Sequence, residues 1–148
     1  LKRLKDVEVG LTITSTDDKI SKYFEKFAPP ASARIDTLKK LNAAGIRTYA
    51  FVGPLLPHFV AKESEIKKVL DAIYKTGTRR LFIEHINLSP YIRTRMLEEI
   101  KGVEPEFLEK FYSSQSENYR NELNKILLKL LKNYDFKLLH PIMFHPEQ

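Results

Sequence analysis

The sequence contains no cysteine among its 148 residues. This absence excludes disulfides, thiolate metal sites and cysteine nucleophiles within these residues. The sequence also has no apolar run of about 18 residues, so we expect no membrane-spanning helix and no membrane partner. No secretory signal opens the chain, and we therefore expect a cytoplasmic protein. Because the first residue is Leu1 rather than methionine, we further expect the protein to include residues upstream of it.

Several catalytic signatures are absent as well. The sequence has no glycine-rich phosphate loop, no serine elbow and no paired-acid signature. Its four histidines are not spaced as a helical ligand pair, and Pro141 separates His140 from His145. We therefore predict no metal site built from these histidines.

The charge balance is mildly basic. Lysine and arginine number 25 against 19 acidic residues, which gives a formal net charge of +6. An excess of this size is compatible with nucleic acid or another anionic partner, and it is also common in proteins that bind neither. The basic residues are scattered, without a run that would form a basic tail.

The first 90 residues alternate between strand and helix patterns. Residues 6–15, 46–53 and 79–86 read as strands, and the segments 15–27, 31–45 and 62–77 read as amphipathic helices between them. In the first helix, Ile20, Tyr23, Phe24 and Phe27 recur at helical spacing and are predicted to face inward. Gly45 and Gly77 are predicted helix stops. The order predicts an α/β fold with three parallel strands joined by right-handed crossovers.

The pattern changes beyond Asn87. Residues 94–102 and 105–112 read as short helices, and residues 116–134 as a long amphipathic helix. The last segment, 136–148, is apolar and extended, and two roles stay open for it: a further strand, or a cover over an open sheet edge.

Polar residues cluster where the predicted strands end, which is where parallel α/β architectures bind ligands. Thr12 and Thr14 lie on the same face of the first strand as Gly10, and small hydroxyl residues there favour a lined cavity. The alternative is a polar layer satisfied by water or by neighbouring strands. Glu84 would need a partner if buried, and Arg34 is a candidate, although a surface arginine is the simpler interpretation of Arg34 alone.

The segment 9–57, VGLTITSTDDKISKYFEKFAPPASARIDTLKKLNAAGIRTYAFVGPLLP, resembles the central part of radical S-adenosylmethionine (SAM) enzymes, and in particular the branch related to spore photoproduct lyase, often described as DNA repair photolyase-like. The resemblance rests on the order and spacing of a hydroxyl-rich strand end, an acid, an Ala-Pro element, an arginine, an Ala-Gly-Ile turn and a Pro-x-x-Pro break. These are Thr12, Thr14, Ser15, Glu25, Ala28-Pro29, Arg34, Ala44-Gly45-Ile46 and Pro54 to Pro57. The later EHINL, residues 84–88, also fits.

The resemblance implies a half TIM-type βα barrel over residues 1–90 with three parallel strands, followed by a helical C-terminal extension over residues 91–148. It implies an enzyme that reductively cleaves SAM at a [4Fe-4S] cluster. Thr12, Thr14, Ser15 and Arg34 would contact the polar groups of SAM, Gly53 and Pro54 would border its adenosine, and Glu84 and Asn87 would line the cavity. No catalytic residue is assigned.

The chain departs from the family at its defining feature. The CxxxCxxC loop that holds the cluster is absent, and the usual Glu-Pro is Glu25-Lys26 here. We therefore expect a C-terminal fragment that is inactive alone and binds no cofactor stably, with the cluster held by a missing N-terminal part. Nucleic acid is the leading substrate expectation.

Two alternatives remain at this point. In one, the chain is a non-catalytic module that binds nucleic acid or a partner protein. In the other, it is an inert half-barrel that self-associates through an open sheet edge.

Overall fold

The computed structural model describes residues 6–89, residue 94 and residues 105–144. The elements in chain order are β1 (Glu8–Thr12), α1 (Asp18–Phe24), α2 (Ala31–Ala43), β2 (Arg47–Leu55), α3 (Glu63–Lys75), β3 (Arg80–His85), α4 (Pro105–Ser113), α5 (Glu117–Leu131) and β4 (Lys137–Leu138). The predicted helix over residues 94–102 lies almost entirely outside the described residues. None of the described helices is long and apolar enough to cross a bilayer.

The strands form one parallel sheet in the order β1-β2-β3-β4. The alternation of strands and helices predicted for the first 90 residues is confirmed. The predicted count of three strands is wrong, because the C-terminal segment adds β4 beside β3. This strand has only two residues, too few for any sequence period, and an isolated bridge between Glu84 and Met143 continues the pairing.

Two glycines end helices as predicted. Gly45 follows α2 with φ of 74°, and Gly77 follows α3 with φ of 91°. Both values lie in the left-handed region that side chains with a Cβ rarely adopt. These stops turn the chain back into β2 and β3, and so set the two crossovers.

Apolar side chains of the helices bury one face of the sheet. Ala50 and Val52 of β2 and Leu81 and Ile83 of β3 are almost completely inaccessible. The helical residues packed in the same core are Leu38 of α2, Ile66, Val69, Leu70 and Ile73 of α3, Phe111 of α4, and Leu123, Leu127 and Leu130 of α5. The inward faces predicted for residues 62–77 and 116–134 are therefore confirmed.

The opposite face of the sheet is half-buried and carries aromatic rings. Tyr49 and Phe82 meet edge to face with ring centroids 5.4 Å apart, and Phe51 lies 6.4 Å from Phe82. A Cβ added to Gly10 would lie 1.9 Å from the Tyr49 ring, so this ring covers β1 at the glycine. The room beside Gly10 that the small residues suggested is therefore filled by Tyr49.

The helix predicted over residues 15–27 is shorter than expected, and two of the side chains predicted to face the core are exposed instead. Ser15 to Asp17 form the turn before α1, and the helix ends at Phe24. Ile20 and Phe24 pack against the core as predicted. Phe27 is 97% exposed and Tyr23 is 44% exposed, so the inward position predicted for these two rings is wrong. Because the helix stops before Phe27, the helical period no longer sets the direction of that side chain.

The C-terminal residues are joined to the sheet through β3. The amide of His85 donates to the carbonyl of Met143 (2.9 Å), and the amide of Met143 donates to the carbonyl of Ile83 (2.9 Å). The imidazole Nε2 of His85 lies 2.7 Å from Oδ1 of Asn124 on α5. The C-terminal segment, for which the sequence left two roles open, thus both adds a short strand and covers the β3 edge.

Asn42 connects α2 to the strands through a polar network at the amino ends of β2 and β3. Its amide nitrogen donates to the carbonyls of Leu38 and Thr76 and to Oγ1 of Thr78, each at 3.0 Å. Its amide oxygen accepts from the buried hydroxyl of Thr48 at 2.8 Å. One side chain therefore hydrogen-bonds polar groups of α2, of β2 and of the turn between α3 and β3, which are largely removed from water.

We expect Asn42→Ala to lower the free energy of unfolding by about 2 kcal/mol, because it removes four hydrogen bonds from a largely buried polar network. Asn121→Ala is the matched control, since Asn121 is exposed on α5. Urea unfolding followed by circular dichroism measures both. Equal midpoints for the two variants would contradict the role given to Asn42.

We expect His85 to make stability dependent on pH. Burial lowers the pKa of His85, the bond with Asn124 opposes that effect, and Arg120 adds to the lowering. The unfolded chain then binds the proton more readily than the folded one, so the free energy of unfolding falls as pH drops below about 6.5. Above that pH the contribution of His85 to the free energy of unfolding is constant. In His85→Gln the slope between pH 7 and pH 5 should shrink. The exposed His140→Gln serves as control, and an unchanged slope in His85→Gln would refute this prediction.

Candidate functional site

A compact polar cluster lies just beyond the carboxyl end of β1. The hydroxyl of Thr14 donates to Oε2 of Glu25 at 2.7 Å. Arg34 donates from Nη1 to Oε1 of Glu25 (2.9 Å) and from Nη2 to Oε2 (2.5 Å). Nη1 also donates to the carbonyl of Thr12 at 2.8 Å. A bidentate ion pair therefore joins the end of β1 to the chain after α1 and to α2.

The loop between α1 and α2 positions Glu25 and Arg34. The hydroxyl oxygen of Ser21 accepts from the amide of Ala31 at 3.1 Å, and the Asp18 carboxylate accepts from the amide (2.9 Å) and hydroxyl (2.6 Å) of Ser32. The bonds from Ser32 hold the pKa of Asp18 below its ordinary value. Since both contacts fasten α1 to the first turn of α2, Arg34 in that turn is directed back toward Glu25.

The cluster is largely removed from solvent. Arg34 is 7% exposed and Thr14 is 4% exposed, while the Glu25 side chain keeps 23% of its surface accessible. The Nε of Arg34 is buried without a hydrogen-bond partner. The pair thus presents opposite charges side by side, with the carboxylate nearer to solvent and one guanidinium donor unused.

Arg34 had been a candidate partner for Glu84, and the structure pairs it with Glu25 instead. Glu84 lies farther along the carboxyl edge of the sheet, on β3. Glu25 and Arg34 are nine positions apart with the Pro29-Pro30 break between them, so no helical spacing revealed their contact. Glu25 was absent from the predicted site residues, and its only signal was its place in the resemblance.

Ser15 does not join the cluster. Its hydroxyl oxygen accepts from the amide of Asp17 at 3.0 Å, and Asp17 in turn caps α1 by accepting from the amide of Lys19. The buried Ser15 side chain therefore shapes the turn between β1 and α1. Its predicted contact with a ligand remains a prediction.

Gly53 and Glu84 are neighbours at the ends of β2 and β3. A Cβ at Gly53 would lie 2.9 Å from the Phe51 ring and 3.1 Å from both the Cβ and the carbonyl oxygen of Glu84. The glycine is thus required by its protein neighbours, whatever ligand approaches. The peptide bond to Pro54 is cis. Asn87 is half-buried beyond the end of β3.

Metal-binding geometry is absent from the described part of the chain. No group of three or more histidine, aspartate or glutamate side chains converges there. His85 is committed to Asn124, and His58 lies 3.3 Å from the amine of Lys110. The fourth histidine, His145, is outside the described residues.

We expect Arg34→Met to lower the free energy of unfolding by about 2–3 kcal/mol, because the mostly buried Glu25 carboxylate loses its counter-charge. Lys40→Met is the matched control on the same helix, since the Lys40–Asp36 pair is exposed and such pairs contribute about 0–1 kcal/mol. Urea denaturation measures both variants. Adding Glu25→Gln to Arg34→Met should recover part of the loss, and strict additivity would contradict the pairing.

No family model and no solved structure matches the sequence. The chain is similar to an uncharacterized protein of Methanocaldococcus jannaschii, with 36% identity over 87 residues, which cover 59% of this chain and 32% of that protein. It is also similar to an uncharacterized protein of Acidianus two-tailed virus, with 26% identity over 145 residues, covering 93% of this chain and 44% of that protein. The chain therefore spans less than half the length of these relatives.

Proposed function

We propose that this chain is the C-terminal part of a radical SAM enzyme and supplies the polar wall against which SAM binds. The observation that carries the proposal is the Thr14–Glu25–Arg34 cluster at the carboxyl end of β1. Its three residues are among those that carry the resemblance to radical SAM enzymes, and they lie at the edge of a parallel sheet where ligands generally bind. In this proposal the enzyme is cytoplasmic.

The sheet is then one half of a βα barrel, and further strands complete it. Two features support this reading. Within the described residues β1 pairs only with β2, which leaves its other edge open, and the aromatic face of Tyr49, Phe51 and Phe82 is only half-buried. The matched segments cover only 32% and 44% of the two relatives, which leaves length in those proteins for further strands.

The cluster suits the amino-acid end of SAM. That end carries an ammonium and a carboxylate, and the Glu25–Arg34 pair offers the complementary charges next to each other. The Nε of Arg34 has no hydrogen-bond partner among the described residues, and because it is buried it would reach the carboxylate of SAM only after the side chain shifts. Thr12 and Thr14 lie on the same strand end, and Gly53 with Pro54 would border the adenosine. Glu84 and Asn87 would line the cavity farther out.

The iron–sulfur cluster does not fit residues of this chain, which has no cysteine. In the proposal, residues outside the chain hold it. When bound together, the cluster and SAM supply one-electron cleavage of a carbon–sulfur bond and hydrogen abstraction from a substrate. The part played by this chain is to orient SAM through charge-assisted hydrogen bonds and to keep water from the bound groups.

The reading frame upstream of Leu1 tests the proposal most directly. We expect a CxxxCxxC motif roughly a hundred residues before Val9, because a barrel of this kind places the cluster loop after its first strand. A frame that starts at Leu1, or one without clustered cysteines, would contradict the proposal and favour a cluster-free module.

In the full-length protein, reconstituted anaerobically, we expect Arg34→Gln to lower SAM cleavage about tenfold or more. The variant loses the bidentate pair that orients the Glu25 carboxylate and the positive charge proposed for the SAM carboxylate. Chromatography of 5′-deoxyadenosine measures the rate, and calorimetry measures SAM affinity. Lys40→Gln on the same helix is the control. Equal rates in both variants, with Arg34→Gln folded by circular dichroism, would remove Arg34 from the site.

A second candidate is a non-catalytic nucleic-acid-binding module, and the same region supplies its supporting observation. The Phe27 ring is 97% exposed and Tyr23 is 44% exposed, beside the exposed Lys22 and Lys26. Exposed rings among cations can stack bases. Salt-dependent binding of single-stranded DNA without iron or SAM would favour this function, whereas DNA bound only by the reconstituted enzyme would fit nucleic acid as a substrate.

A further inference from the structure

A second concave feature lies between helices α2 and α3, away from the Thr14–Glu25–Arg34 cluster. It is a shallow depression, open to solvent, with a volume of about 480 Å³. Its lining is mainly Ile35 and Lys39 of α2 and Lys68, Asp71, Ala72 and Lys75 of α3. Its volume falls in the range of about 300–1,000 Å³ that is typical of ligand sites. We refer to it as the lysine groove.

The charge of the lysine groove is incompletely neutralised by the protein. Lys68 pairs with Glu65 at 2.7 Å, but in the described part of the chain neither Lys39 nor Lys75 forms an ion pair. Asp71 is engaged elsewhere, because its carboxylate accepts from Lys67 (2.7 Å) and from the Tyr134 hydroxyl (2.6 Å). These bonds lower the pKa of Asp71, with a smaller contribution from Lys75, so it stays ionised.

The groove is elongated and has an apolar floor. Lys68, Asp71 with Ala72, and Lys75 recur at helical spacing along one side of α3, a stripe about 10 Å long at 1.5 Å per residue. Ile35 and Ala72 are half-buried between the lysines. Cations at the rim and aliphatic groups between them complement a ligand that carries acids on one side and apolar groups on the other.

We propose that the lysine groove binds an acidic, amphipathic peptide segment of a partner protein. Apolar side chains of the segment rest on Ile35 and Ala72, and its carboxylates meet the amines of Lys39, Lys68 and Lys75. This inference stands apart from the proposed enzymatic function, because it uses none of the residues of the strand-end cluster.

Nucleic acid fits the same groove less well. Stacking of bases needs aromatic or guanidinium surfaces, and the described lining contains neither. The Asp71 carboxylate on the wall would also repel a phosphate chain that follows the groove. A peptide instead offers carboxylates that can be spaced to meet the lysines and miss the aspartate.

The test uses fluorescence anisotropy of the full-length protein with a labelled twelve-residue peptide of glutamates and leucines in amphipathic order. The groove variant is Lys39→Gln with Lys75→Gln. The matched control is Lys125→Gln with Lys132→Gln, which removes the same charge from exposed positions on and beside α5. Since each exposed ionic contact changes affinity by up to about fivefold, loss of two such contacts should make the groove variant bind up to about 25-fold more weakly.

The expected result is binding by the parent and the control, weaker binding by the groove variant, and loss of affinity at high salt. Three outcomes overturn the proposal: no binding by the parent, equal weakening in the two variants, or equal binding of a peptide with lysines in place of glutamates. Equally tight, groove-dependent binding of a single-stranded oligonucleotide would overturn the peptide assignment, because the groove would then be a general polyanion site. The groove variant should cleave SAM at the rate of the parent, and this activity should still depend on Arg34. A failure of the peptide proposal can then be told apart from a failure of the enzymatic proposal.

Discussion

Burial of one face of the parallel sheet under α2, α3 and α5 is the interaction on which the rest of the structure depends. Ala50 and Val52 at the sheet centre belong to one buried cluster with apolar side chains of all three helices, and removing that surface from water is the main stabilising contribution. Because the helices cover this face, both crossovers run on the same side of the sheet. The strand ends are then held at one edge, and the opposite face stays half-buried.

Burial of one face of the sheet explains where the clusters of polar side chains lie. Inside the helix–sheet layer, polar side chains are tied into closed networks, as Asn42 is with Thr48 and Thr78. At the carboxyl edge, the Glu25–Arg34 pair closes most of its hydrogen bonds but leaves one guanidinium nitrogen unused. The proposed function uses this cluster because the Glu25 carboxylate keeps part of its surface accessible at the edge of the sheet.

Among the described residues one edge of β1 is unpaired and the aromatic face is only half-buried, and both would be stabilised by contact with further strands. An unpaired strand edge offers backbone donors and acceptors, and a face of packed rings gains stability when covered. In the proposed barrel, additional strands satisfy both needs at once. The C-terminal segment already does this on the other side, where its pairing from Lys137 to Met143 covers the edge of β3.

The sequence by itself determined the alternation of strands and helices, the inward faces of α3 and α5, and the glycine stops at Gly45 and Gly77. These features depend on local spacing, and spacing is visible in one dimension. Only the tertiary structure decided the contact between Glu25 and Arg34, the Tyr49 ring over Gly10, and the strand of two residues at Lys137. Each of these contacts joins positions that no helix or strand spacing relates to each other. It therefore stabilises the fold only once the helices have packed and brought those side chains together.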